Sequence, residues 1–195
     1  MRHGPVVKRD GHLPAYDAHL TAEPFALSGL QAILPEGADW HVSPLARTQA
    51  TANLLSSELT PSSFELDERL IEMNFGDWHD TPVADVWTQL ADGPKHNWSF
   101  IMPDTKPPGG DSFDEQCVRI GTWLTDMAAR DLNHPQIIVT HGGVIRAALC
   151  HILGIAPVQA IGIPVAHFGC MTATAMEPDR AIDSGGAWQF TGLHG

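Results

Sequence analysis

With 195 residues, 43% of them hydrophobic, the chain has the size at which one core buries most of its apolar surface, and nothing in it asks for two domains. A formal net charge of -12, from 11 Lys and Arg against 23 Asp and Glu, argues against a nucleic-acid partner, which needs a broad basic face. No stretch approaches the roughly 20 apolar residues of a membrane-spanning helix and the amino end lacks a signal-peptide core, so the expectation is a soluble, cytoplasmic protein with no membrane partner.

In chain order, Met1-Arg2-His3-Gly4 comes first, a histidine and an arginine side by side with one residue ahead of them. Phe25 to Leu34 leaves room for a short helix only. Asp39 to Val42 reads as a strand running into a helix, with Ser43 as N-cap, Pro44 at the first helical position and an end near Ser57. Phe64 to Asp67 is a second short strand. Residues 78–110, rich in Trp, Pro, Asp and Gly around a helical pattern from Val83 to Leu90, read as a lid-like insertion. Trp87 and Trp98 either wall a site beneath it or pack the insertion onto the body.

The clearest helix opens at Ser112 with Glu115 three residues on, a reciprocal capping box, and carries an apolar stripe of Phe113, Cys117, Ile120, Leu124 and Met127. Gln136 to Thr140 is a buried parallel strand, and a helix from Val144 to about Leu153 follows it. Gly169 to Met176 and Trp188 to Thr191 are closing strands. Alternating strands and helices predict an α/β fold with a largely parallel sheet. Cys117, Cys150 and Cys170 lack Cys-x-x-Cys spacing and read as buried thiols of a reducing compartment.

Four separated segments each offer a polar residue beside a strand end or a helix start: Arg2-His3-Gly4, Ser43 to Arg47, Glu72 within Ile71 to Trp78, and His141 within Thr140 to Gly143. In a parallel α/β sheet ligands bind beyond the carboxyl ends of the strands, so these segments converge there. Arg2, Lys8, Arg9 and Arg47 around one site would make a small positive pocket in an acidic surface, suited to a small anion, although each alone reads as an ordinary solvated charge. Gly142 and Gly143 let backbone N–H groups at a helix start approach that anion. The histidines show no metal-ligand spacing, so neither a metal nor another cofactor is expected.

Five motifs in order are similar to those of the histidine phosphatase superfamily, in the branch related to cofactor-dependent phosphoglycerate mutase. They are the Arg-His-Gly start, Ser-Pro-Leu-x-Arg-x-x-x-Thr-Ala at Ser43 to Ala52, Glu-x-x-Phe-Gly-x-Trp at Glu72 to Trp78, Pro-Gly-Gly-Asp-Ser-Phe at Pro108 to Phe113, and Thr-His-Gly-Gly-Val-Ile-Arg at Thr140 to Arg146. The resemblance implies a three-layer α/β/α domain over residues 1–195. It implies that His3 is a nucleophile that becomes phosphorylated, that Arg2, Arg47, His141 and Gly142 hold the phosphoryl group, and that Glu72 protonates the leaving oxygen and then activates water.

Chemistry gives each role a reason. Arginine forks suit the equatorial oxygens of a transferring phosphoryl group. His3 must attack as a neutral imidazole, which adjacent arginines favour, whereas His141 is expected to work protonated. Glu72 must hold a proton near neutral pH, for which Phe75 and Trp78 would desolvate it. Thr51 and Arg146 read as packing and supporting residues, and His167 as a core histidine near the pocket.

Three departures from the family pattern stand out. Pro5 to Arg9 replaces a polar pair and a phosphate-contacting asparagine, which makes Lys8 and Arg9 candidates for a second anionic group on the substrate. Trp78-His79-Asp80 replaces Trp-Glu-Gly. Relatives carry a strand ahead of Arg-His-Gly, so the first strand is expected to be truncated, and an extended form to melt higher and be more active. The expected function is hydrolysis of a phosphomonoester through a phosphohistidine, on a small phosphorylated metabolite with α-ribazole phosphate as a candidate. A mutase of the phosphoglycerate type and a non-catalytic binding module are the alternatives, and a homodimer is a candidate assembly.

Overall fold

The computed structural model describes every residue except 23–24, 26–28, 31, 91–95, 97 and 177–185. At its centre β1 (Asp39–Val42) pairs in parallel with β2 (Ser63–Leu66) on one side and β3 (Gln136–Val139) on the other. The crossover from β1 to β2 is made by α1 (Ala46–Leu55), as a parallel pair requires. Side chains alternate across such strands. Trp40, Val42, Ile137 and Val139 therefore pack with Ala52 and Leu55 of α1, while Ile138 faces the opposite cluster, built from α3 (Phe113–Ala128) and α4 (Gly142–Leu153). Helices cover both faces of the parallel sheet, and the expected α/β class is what the chain adopts.

Residues 1–3 continue the ladder on the outer edge of β3. Thr140 N donates to Met1 O at 2.8 Å, His3 N to Thr140 O at 2.9 Å, and Arg2 N to Gly169 O at 2.9 Å. This short stub joins β3 to the residue preceding β4 (Cys170–Ala175). On the amino side of Met1 the two strands part around a cavity of about 490 Å³, lined by Met1, Leu70, Trp123, Ile138, Met171 and Trp188 among others. β4 pairs antiparallel with β5 (Trp188–His194), so the two closing strands form a separate two-stranded sheet beside the parallel one. An antiparallel partner needs no crossover.

Two local expectations also change. Ser43 does not cap α1: that helix starts at Ala46, its cap position Leu45 makes no side-chain bond, and the Ser43 hydroxyl is engaged elsewhere. The Ser112 capping box forms as read, with Ser112 Oγ accepting from Glu115 N at 3.2 Å and Glu115 Oε2 from Ser112 N at 2.8 Å. α4 begins at Gly142, two residues earlier than expected, and ends at Gly154 in the left-handed region. In the insertion α2 (Val83–Gln89) forms. Trp87 packs on Phe100, both within the insertion, with ring centroids 4.6 Å apart, and Trp98 is exposed; neither lines the cavity at His3. The short helix expected at Phe25 to Leu34 falls partly outside the described residues. Among the described residues no helix is long and apolar enough to cross a membrane.

Candidate active site

The stub, β1 and β3 run parallel, and their carboxyl ends deliver Arg2 and His3, Ser43, and Thr140 and His141 to one side of the sheet. Glu72 arrives from the loop after β2. That loop is clamped by close backbone approach: Gly76, at φ 50°, could not carry a Cβ, which would lie 2.1 Å from Pro108 O. Asp77 N donates to Pro108 O at 2.9 Å and Asp111 N to Asn74 O at 2.8 Å. The Phe-Gly and Pro-Gly-Gly motifs thus hold each other, and Glu72 with them. Together these segments enclose a cavity of about 120 Å³ lined by Arg2, His3, Lys8, Arg47, Glu72 and His167, with Tyr16, Phe75 and His79 among the others.

His3 is buried at 5% exposure, and its Nδ1 lies 2.6 Å from Gly4 O. A carbonyl only accepts, so Nδ1 carries the proton and the Nε2 lone pair is free. Burial first, and the Arg47 and Arg2 charges after it, hold the His3 ring down to about 3, against the ordinary 6.5. Gly4 is fixed in turn by Thr51, whose Oγ1 accepts from Gly4 N at 3.0 Å and donates to Arg47 O at 2.7 Å. Thr51 is therefore more than a packing residue: it ties the His3 turn to the Arg47 helix.

His141 differs from the expectation of a protonated ring. It is fully buried, and its Nδ1 accepts from Arg47 Nε at 3.2 Å, so the proton of the neutral ring sits on Nε2, 2.9 Å from Ser43 Oγ. Burial, then the Arg47 charge, hold its pKa well below the ordinary histidine value. A direct bond from His141 to an anion would require Ser43 to release that Nε2–H. Arg47 also donates from Nη1 to Tyr16 O at 2.7 Å. Arg2 donates from Nη1 to Val165 O at 2.6 Å, and its Nε is buried without a partner among the described residues.

Glu72 accepts three hydrogen bonds: Met73 N at 3.0 Å and Gln116 Nε2 at 3.0 Å on Oε1, and Gly143 N at 3.1 Å on Oε2. The first turn of α4 thus spends the Gly143 N–H on this carboxylate. Gly143 has no room for a side chain, since a Cβ would lie 2.2 Å from Glu72 Oε1, whereas at Gly142 the nearest atoms, Arg146 Nη1 and Arg2 Nε, stand at an ordinary 3.6 Å. Of the two residues expected to desolvate Glu72, Phe75 lines the cavity. Trp78 instead turns into the insertion, where its Nε1 donates to Gln89 Oε1 at 2.8 Å.

Lys8 lines the cavity, while Arg9 is exposed and outside the lining. Three further residues belong to the wall. His167 Nδ1 lies 3.1 Å from His3 O with the two rings 5.4 Å apart, so it is a site residue rather than a core histidine. His79, where the family pattern has glutamate, accepts from Phe75 N at Nε2 (2.9 Å) and donates from Nδ1 to Pro14 O (3.1 Å). Tyr16 stacks edge-on to it at 5.2 Å. Arg146 supports from behind, donating from Nε to Ile163 O at 2.9 Å.

This architecture recurs in solved structures at low sequence identity. The α-ribazole phosphatase of Shigella flexneri superposes with a TM-score of 0.70 at 20% identity, over 91% of this chain and 89% of that one. The phosphoserine phosphatase of Entamoeba histolytica, solved with 3-phosphoglyceric acid, gives 0.71 at 19% identity over 100% and 94%, and a mycobacterial glucosyl-3-phosphoglycerate phosphatase with inorganic phosphate gives 0.71 at 20% over 100% and 94%. A protein of Hydrogenobacter thermophilus that carries the name of a phosphoserine phosphatase is 30% identical over 118 residues, 58% of this chain and 54% of its own length. The chain thus spans about half of that curated relative. The model of the histidine phosphatase superfamily (branch 1) matches residues 15–182, a stretch that begins after Arg2 and His3 and takes in Arg47, Glu72 and His141, and by that span the chain belongs to the superfamily.

Proposed function

We propose that the chain is a phosphomonoester hydrolase that acts through a phosphohistidine on a small phosphorylated metabolite. The observation that carries this reading is the state of His3: neutral, with Nδ1–H bound to Gly4 O, Nε2 unprotonated, and Arg2 and Arg47 lining the same cavity. Nε2 attacks phosphorus in line and the ester bond breaks. The departing oxygen takes a proton from Glu72, water then attacks the phosphohistidine while Glu72 takes its proton, and inorganic phosphate leaves.

Arg47 and the unpartnered Nε of Arg2 supply charge-assisted donors for the equatorial oxygens. Gly142 sits beside Arg2 at the start of α4, where a helix N-terminus favours an anion. His141 holds Arg47 in place through Nδ1 and reaches the phosphoryl group by giving up its bond to Ser43.

Lys8 on the cavity wall favours substrates with a second anionic group, whereas Arg9 stands too far out to share that task. The test is phosphate release from a panel containing α-ribazole phosphate, phosphoserine, 3-phosphoglycerate and glycerol phosphate, with His3→Ala and Glu72→Gln as controls. The reading expects hydrolysis of at least one ester and its loss, by about 10³-fold or more, in His3→Ala. Undiminished activity in His3→Ala would overturn it. Isomerisation of 3-phosphoglycerate faster than phosphate release would transfer the assignment to a mutase.

A further inference from the structure

Glu72 has two tasks that place opposite demands on its neighbours. As a carboxylate it needs donors, and it has three. As an acid it needs an acceptor for its O–H. Met73 N and Gly143 N can only donate. The remaining partner is Gln116, on the first turns of α3, a residue that interrupts the apolar stripe between Phe113 and Ile120 and is 1% exposed.

Its amide is half used. Nε2 donates to Glu72 Oε1 at 3.0 Å, while Oε1 is buried with no partner among the described residues. That oxygen stands at the start of α4, 2.8 Å from where a Cβ on Gly143 would lie, in the same space as the Glu72 carboxylate. A buried acceptor left empty beside an acid is destabilising, so its presence asks for an explanation. A half-turn of the amide exchanges Oε1 and Nε2. The bond to Glu72 then runs the other way, from a carboxylic O–H to the amide oxygen, and Nε2 becomes the unpaired atom instead. Each orientation leaves one amide atom unsatisfied, so the residue serves both protonation states of Glu72 without locking either.

We propose that Gln116 is a positioning residue for the proton of Glu72, turning its amide over as the carboxyl group gains and loses that proton. The inference rests on the acid–base reading of Glu72. The charged groups acting on Glu72 from the surrounding segments are Arg2 and Arg47 on the phosphate side, Arg119 from α3 and Arg146 from α4. His3 shares its cavity, and Asp111 acts on Arg119. All of these remain in a Gln116 variant.

The experiment compares single-turnover release of the leaving group from glycerol phosphate, which needs a proton, and from p-nitrophenyl phosphate, which does not. Gln116→Met, of similar shape and unable to bond in either direction, is expected to slow glycerol phosphate by about 30-fold, within the range of general acid catalysis. p-Nitrophenyl phosphate should change less than about 3-fold, with unchanged inhibition by inorganic phosphate. Gln116→Glu, which sets a second carboxyl group against the first, is expected to move the alkaline limb of the kcat/KM profile to higher pH. Equal losses on both esters in Gln116→Met, no loss on either, or an unmoved limb in Gln116→Glu would overturn the role of Gln116. Glu72→Gln that hydrolyses glycerol phosphate as fast as the parent would instead overturn the reading of Glu72 beneath it.

Discussion

At His3 the direction of one hydrogen bond decides which nitrogen can react. Gly4 O takes the Nδ1 proton, so Nε2 is the nitrogen left with a lone pair, and no neighbouring carboxylate is needed to set the tautomer. The motif Arg-His-Gly made the residue visible in the sequence, but the identity of the acceptor was not, because a backbone carbonyl leaves no mark in composition. The same holds for Ser43, which reads as a helix cap until the direction of its side chain is seen, and for Gln116, which carries no motif to single it out. Gly143 is the position where a single atom tests this arrangement. Gly143→Ala would drive a methyl group into the Glu72 carboxylate and break the Gly143 N bond. The expected result is a fall in kcat of about 10²-fold or more on alkyl phosphates with the inhibition constant for phosphate little changed. An unaltered kcat would contradict the account of how Glu72 is held.

Among the elements, the strands and helices carrying the site were legible because their patterns are local: the apolar run Ile137 to Val139, the capping box at Ser112, the alternation of α and β. What was not legible is pairing over distance. Nothing in Cys170–Ala175 says that it lies antiparallel to Trp188–His194, or that its other edge faces β3 across a cavity of about 490 Å³. The ladder bonds show that Pro135 and Val139 carbonyls face β1, so by the alternation of a parallel strand the polar groups of Gln136 and Ile138 face the cavity. The Met1 ammonium sits at its end against Ile138 O, wholly buried and with its pKa lowered by that burial.

An apolar, strand-forming extension of about five residues joined to Met1 would replace that ammonium with an amide, continue the ladder parallel to β3 and fill the apolar space. It is expected to raise Tm by about 5–10 °C and to raise kcat by steadying His3. Equal melting of the extended and unextended chains in calorimetry would contradict this.

Over the whole molecule, a net charge of -12 surrounds a cavity with Arg2, Arg47 and Lys8 in its lining, a local concentration of positive charge of the kind that attracts small anions. Composition alone showed the excess of acid; only the fold shows that three of the 11 cations line one cavity. The buried neutral histidines also tie stability to pH. His3 has a folded pKa of about 3, below the 6.5 of an unfolded chain, so between these values the unfolded state binds more protons. Stability is therefore full above about pH 6.5 and declines as pH falls toward 3, with a slope of up to about 1.4 kcal/mol per pH unit from this residue. His3→Gln is expected to lose Tm less steeply over that window than the parent; parallel curves would contradict the burial of a neutral His3.

Whether His3 Nε2 forms the bond to phosphorus is read directly by phosphorus NMR of enzyme quenched in alkali during turnover. One acid-labile phosphohistidine, at His3 and on Nε2 and absent from His3→Ala, is the expected result. Phosphate on Nδ1, on His141, or on no histidine during active turnover would contradict it.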